Sequence, residues 1–341
     1  EAYWASVPVA GVTQDVLVQC FERRCLTYTP ENPDGWKVEA GNVGAHYYQW
    51  RYGDDLPVRT IGDYPVTGTP NTDLDPFAAN LISVMDAHGW EAGTIAVMQA
   101  GELLLEYGIG WQDADHSTYL NHDALLRLAS NSKPITAAAI HELIAAGDLT
   151  LDDYAFCVPA GPDNCVLNLA PVEGATPDPR LGEITIEQLL LHKGGWDEMV
   201  TPDPIFNSIA IAEALGVDSP PTTAQLAQYV ISQPLDFAPG AKVAYANIGY
   251  VFLGLVIEDI TGQPFLDAAR DLVLRPLGID DGDIQQARSL PQDRNPREPW
   301  YSDPGMFPNV FDPSQTVPAP DGGFSLESST APAGLISTAA A

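Results

Sequence analysis

The spacing of apolar positions changes character along the chain, and each change predicts a different element. Residues 1–62 carry short apolar runs such as Val16-Leu17-Val18 and Cys25-Leu26, divided by the charged Glu22-Arg23-Arg24. Runs of this kind predict a small N-terminal β module. Over 63–75 Gly, Pro, Thr, Asn and Asp dominate, which predicts a linker. Apolar residues at 77, 81, 82 and 85 predict a helix over 77–88, with Gly89 as its stop. Two extended runs, 94–98 and 103–107, flank Gln99-Ala100-Gly101-Glu102 and predict a hairpin. A second helix is predicted over 130–146, where Ile135, Ala138, Ala139, Ile140, Leu143 and Ile144 share a face and Gly147 is the cap. Pro134 is tolerated there because it lies in the first turn. Residues 155–182, rich in Pro, Gly and Asp, read as a loop excursion, and helical spacing returns over 186–191, 223–233 and 248–260.

No internal repeat interrupts this order. A helix and hairpin followed by many helices predict an α+β body over 76–341, in which an antiparallel sheet meets a helical region and a cleft lies between them. With 341 residues, 45% of them hydrophobic, the chain can bury a large core. Fifteen Lys and Arg against 46 Asp and Glu leave a formal charge of −31, which repels phosphate backbones and anionic membranes and argues against nucleic acid as a partner. The same acidity fits either a salty or extracellular milieu or a specific cationic partner. No stretch approaches the ~20 uninterrupted apolar residues of a membrane span. Glu1-Ala2-Tyr3-Trp4 lacks a signal-peptide pattern, so the chain reads as already processed or cut.

Four cysteines fall as two close pairs, Cys20 with Cys25 and Cys157 with Cys165, none beside a His at a metal-ligand spacing. Two local disulfides fit this best; four buried free thiols are the other reading.

Ser130-Asn131-Ser132-Lys133 places a hydroxyl and an amine one helical turn apart on one face. A serine hydroxyl alone is a weak nucleophile, and an amine stripped of water at a helix N-terminus can take its proton. The segment opens an apolar helix directly after the strand-like run 124–128 and holds one of only four lysines in the chain. Ser130 as a helix N-cap and Lys133 as a solvated first-turn residue account for the same residues, although a first-turn lysine opposes the helix dipole. Tyr245-Ala246-Asn247 follows the Pro239-Gly240 turn and precedes the 248–260 helix. A tyrosine there can relay a proton, and an asparagine can orient the lysine and hold a substrate carbonyl. A packed tyrosine beside an N-capping asparagine is the plainer alternative.

Together these segments resemble the serine β-lactamase and penicillin-binding protein superfamily, in particular its branch of class C β-lactamases, D-amino-acid peptidases and related esterases. Leu189-Leu190-Leu191-His192-Lys193-Gly194-Gly195, Phe237-Ala238-Pro239-Gly240, Arg275-Pro276-Leu277-Gly278 and the stretch from Ala333 to Ala339 fit the same branch. The resemblance runs from about residue 75 to the end. It implies a β-lactamase/transpeptidase-like fold and a serine hydrolase that forms an acyl-enzyme on a small-molecule or peptide substrate. An ester, an amide or a D-amino-acid peptide is ranked above a β-lactam. It also implies catalytic roles for Ser130, Lys133 and Tyr245, substrate binding by Asn247, a structural hydrogen-bonding role for His192, and no metal or organic cofactor.

Two departures matter. The 155–182 excursion is longer than the branch's usual connection, so the rim of the site is expected to be reshaped. The branch's third motif, a K-T-G or H-x-G strand near the C-terminus that donates one oxyanion N–H, is expected beyond Ala341, where this sequence stops. The expectation is that a second chain, a retained C-terminal fragment or a segment not resolved completes the fold. Phe21-Glu22-Arg23-Arg24 and Tyr28-Thr29-Pro30-Glu31-Asn32 resemble a short repeat at the front of secreted bacterial surface proteins, which implies an extracellular or cell-surface location. The competing reading is a noncatalytic surface or assembly protein that has kept the fold.

Overall fold

The computed structural model describes residues 2–9, 12–20, 25–28, 30, 38–39, 58–158, 161–303 and 305–341. Near the N-terminus β1 (Ala2–Val9), β2 (Val12–Cys20), β3 (Cys25–Tyr28) and β4 (Val38–Glu39) form an antiparallel sheet in chain order. The backbone of Cys20 lies opposite that of Cys25 in this sheet. Their side chains, and the disulfide expected between them, lie outside the described residues.

A second antiparallel sheet has the order β5 (Arg59–Ile61), β6 (Tyr64–Thr67), β8 (Glu102–Gly110), β7 (Ala92–Gln99). The expected linker over 63–75 therefore contains an inner strand, and the boundary drawn at 62 falls within a sheet. Val66 is buried against Ala78, Ile82 and Met85 of α1 (Asp75–His88), and Thr67 Oγ1 donates to Leu120 O at 2.7 Å. Four strand residues set among Gly, Pro and Asp are too few to show a period. The hairpin β7–β8 turns through Ala100 and Gly101, both left-handed at φ 52° and 80°, the two-residue turn that matches strand twist.

β9 (Leu126–Arg127) leads through a 3₁₀ turn, Ala129–Asn131, into α2 (Ser132–Ala146). Helical geometry of the α type thus begins two residues later than the sequence predicts. The excursion that follows is not loop throughout: β10 (Tyr154–Phe156) and β11 (Cys165–Leu167) pair in parallel, and a Cys157–Cys165 disulfide closes the segment between them. That bond removes the free-thiol reading for this pair.

Next come α3 (Ile186–Leu190), α4 (Ser208–Leu215), α5 (Thr223–Ile231) and α6 (Asn247–Thr261). Capping boxes open α3 and α5, through Thr185 with Gln188 and Thr222 with Gln225. α6 is buried along most of its length and forms the spine of the main core with Ile140 and Leu143 of α2 and Leu189 of α3. After α7 (Phe265–Ala269), the chain adds β12 (Ile284–Gln286), the hairpin β13 (Met306–Asn309) with β14 (Asp312–Pro318), the short α8 (Thr330–Ala333) and β15 (Leu335–Ser337). β15 lies between β12 and β9 in a small antiparallel sheet, so the strand leading into Ser130 is fixed by residues 335–337. Among the described residues no helix is long and apolar enough to cross a membrane.

Candidate active site

Ser130 is delivered by a constrained turn. Leu128 N–H donates to Leu335 O at 2.9 Å, and Ala129 is left-handed at φ 46°. That conformation costs a non-glycine residue roughly 1–2 kcal/mol and persists because the flanking strand and helix impose it. The turn leaves Ser130 exposed while Lys133, one turn on, is buried to 5% exposure. The N-cap of α2 is Asn131, which makes no side-chain cap bond. The Ser130 hydroxyl is engaged elsewhere, so neither the N-cap reading of Ser130 nor a solvated Lys133 describes the site.

The structure brings all four sequence-predicted site residues together. Ser130 Oγ lies 2.7 Å from Tyr245 Oη and accepts from Lys133 Nζ at 3.1 Å. Lys133 Nζ also donates to Asn247 Oδ1 at 2.6 Å and to Pro332 O in α8 at 3.0 Å. Three acceptors thus surround the Lys133 nitrogen. Tyr245 Oη donates to Asn247 Oδ1 at 3.2 Å, and the ammonium lies 4.9 Å from the Tyr245 ring centroid and 5.7 Å from that of Tyr250. Across the Ser130–Tyr245 contact either hydroxyl can donate, so a proton can pass between the two oxygens.

Tyr245 is held from behind by His192. This histidine, left-handed at φ 54°, closes the turn after α3; its carbonyl accepts from Ala244 N–H at 2.9 Å and its Nδ1 from Ala246 N–H at 3.3 Å. The two bonds straddle Tyr245 and fix the phenol's approach, and the His192 and Tyr245 rings lie 4.6 Å apart. Burial, and then the charge of Lys133, lower the pKa of His192. A neutral ring with Nδ1 free to accept is what the geometry uses.

Two residues that sequence reasoning missed complete the cluster. Asn247 Nδ2 donates to Asp203 Oδ2 at 2.7 Å and to Glu198 Oε1 at 3.3 Å, and Asn247 N–H donates to the same Glu198 oxygen at 2.9 Å. Burial raises the pKa of Glu198, and the neighbouring Asp203 carboxyl adds to the rise. Both residues follow the Gly194-Gly195 turn in a segment without periodicity, and only their contact with the start of α6 gives them meaning. No local signal in the sequence could have found them.

A serine hydroxyl, an amine and a phenol thus meet at the mouth of a buried helix, with the serine and lysine in the S-x-x-K arrangement of serine acyl-transfer sites. The sequence model of the Beta-lactamase family matches residues 77–341, and the chain belongs to that family. It is 31% identical over 222 residues to Esterase EstB of Burkholderia gladioli, covering 61% of this chain and 52% of that protein. To a Putative D-alanyl-D-alanine carboxypeptidase of Escherichia coli K12 it is 29% identical over 159 residues, covering 46% of this chain and 32% of that one. The chain thus spans about half or less of these relatives' length. Among solved structures, the octameric penicillin-binding protein homologue of Pyrococcus abyssi superposes with a TM-score of 0.53 at 20% identity, over 79% of this chain and 54% of that one. The β-lactamase/transpeptidase-like fold expected from the sequence is the fold observed.

Proposed function

We propose that this chain is a serine hydrolase that works through an acyl-enzyme, with Ser130 as nucleophile, Lys133 and Tyr245 as the groups that move its proton, and Asn247 orienting the lysine rather than holding a substrate carbonyl, since its two amide N–H groups are taken by Glu198 and Asp203. The observation that carries the reading is the contact of Ser130 Oγ with Tyr245 Oη at 2.7 Å and Lys133 Nζ at 3.1 Å. In the first half-reaction the Tyr245–Lys133 pair enters one proton short of full protonation, and Oγ bonds to the substrate carbonyl carbon while its proton passes to that pair. The pair returns that proton to the departing oxygen or nitrogen as the carbon–leaving-group bond breaks. Water then attacks the acyl group by the same route, releasing the acid and restoring the hydroxyl. The relatives named as an esterase and as a carboxypeptidase support esters and D-amino-acid peptides as substrate classes. The Cys157–Cys165 disulfide supports a secreted or cell-surface setting.

The test is covalent. A fluorophosphonate or fluorescent penicillin should label the protein, with the adduct mapped to Ser130 by peptide mass, and Ser130→Ala should lose the label together with p-nitrophenyl ester turnover by a factor of about 10³ or more. A full-length protein that neither labels nor turns over ester or D-alanyl-D-alanine peptide overturns the reading in favour of a noncatalytic role.

A further inference from the structure

The amide of Asn247 has a defined orientation with something to enforce it. Its oxygen faces Lys133 Nζ at 2.6 Å and Tyr245 Oη at 3.2 Å, and its nitrogen faces Asp203 Oδ2 at 2.7 Å and Glu198 Oε1 at 3.3 Å. The two N–H bonds of a carboxamide are thereby matched to two carboxyls. Turning the amide over would set its oxygen against two acidic groups and its N–H against an ammonium. We propose that Glu198 and Asp203 are positioning residues: together they grip the nitrogen of Asn247 and so hold its carbonyl as the acceptor that orients Lys133 and Tyr245 toward Ser130. This inference rests on the serine-hydrolase reading of the same site.

The grip has support of its own. Glu198 is anchored twice on α6, through the side-chain and backbone nitrogens of Asn247. The segment carrying both acids is pinned by Asp236, which accepts from Asp197 N–H at 2.8 Å and from Thr201 Oγ1 at 2.6 Å. Asp203 further caps the 3₁₀ turn Pro204–Phe206 by accepting from Ile205 N–H. The charged and titratable groups around the pair are Lys133 across the amide, His192 and Tyr245 beside it, and the Asp197–Lys242 ion pair with Asp236 on the outer side. Burial, and after it the neighbouring Asp203 carboxyl, raise the pKa of Glu198.

The experiment measures kcat and KM against pH for an ester substrate in wild type, Glu198→Ala, Asp203→Ala, Glu198→Gln and Asp203→Asn. It is paired with the side-chain amide NMR signal of Asn247, assigned by its loss in Asn247→Asp. The alanine variants should lose about a hundredfold in kcat with KM nearly unchanged, because the acceptor on Lys133 drifts. The amide variants, whose carbonyls still accept, should recover most of that loss. The Asn247 amide signal should titrate with pH in wild type and stop doing so in Glu198→Gln. Alanine variants with wild-type kcat and pH profile, or a wild-type amide signal indifferent to pH, overturn the proposal. If the alanine variants do not fold, the isosteric Glu198→Gln decides through the amide titration. A wild type as inactive as Ser130→Ala removes the hydrolase reading instead, and the titration still decides whether the grip exists.

Discussion

His192 shows how a single residue can shape a site from behind, through its bonds to the backbone on either side of Tyr245. Its Nδ1 must stay unprotonated to accept from Ala246 N–H, and burial with the Lys133 charge lowers its pKa. A histidine whose folded pKa lies below its unfolded value of about 6.5 favours the neutral, folded form. Its contribution is therefore complete above that value and is lost as pH falls toward and through the lower folded value. Denaturant unfolding from pH 8 down to 5 should show the stability gap between wild type and His192→Phe narrowing on the acid side; a gap constant across the range would rule this out. At this scale the spacings of Ser130 to Lys133 and of Tyr245 to Asn247 were legible, because one helical turn or one two-residue step brings each pair together. Glu198 and Asp203 were not, since their partner lies 49 and 44 residues away along the chain.

The elements meet with little slack around the lysine. α8, whose Pro332 carbonyl receives one N–H of Lys133, packs on α6 so closely that a Cβ on Gly254 would come 2.6 Å from the Cβ of Ala331. Gly254→Ala should thus push α8 outward, costing about 1–3 kcal/mol of stability and lowering kcat, readable by chemical unfolding and ester kinetics. An alanine variant as stable and active as wild type would show that the two helices yield freely. The excursion is stapled by the Cys157–Cys165 bond across a sequence separation of 8. Replacing both cysteines by serine should cost roughly 2–3 kcal/mol in unfolding free energy. Of the helices that end on a left-handed glycine, α1, α2 and α6 were readable from period and cap alone. α4 was not, because its Ile-Ala-Ile-Ala run is apolar on most of its circumference and shows no polar face. β6, β10 and β11 are three or four residues each, below the length at which alternation declares itself.

Across the whole molecule the dominant quantity is a formal charge of −31. Like charges crowded onto one folded body repel, and dissolved salt screens that repulsion over about 10 Å at 0.1 M. Melting temperature should accordingly rise between 10 mM and 500 mM NaCl, and a flat or falling curve would indicate that local ion pairs such as Arg127–Glu298 outweigh the general field. The α+β architecture was legible at this scale from the order of elements. The three-stranded sheet β12-β15-β9 was not, because its strands are two or three residues long and far apart in the chain.

That same sheet, with α8, sets a timetable for the protein's birth. Pro332 O, Ala331 O and Leu335 N–H bind Lys133, Thr136 and Ser132 across 199, 195 and 203 residues. On the ribosome the serine emerges long before the carbonyl that completes its lysine's coordination. A nascent chain that has not reached residue 332 therefore lacks one of the three acceptors that surround Lys133 Nζ in the folded protein.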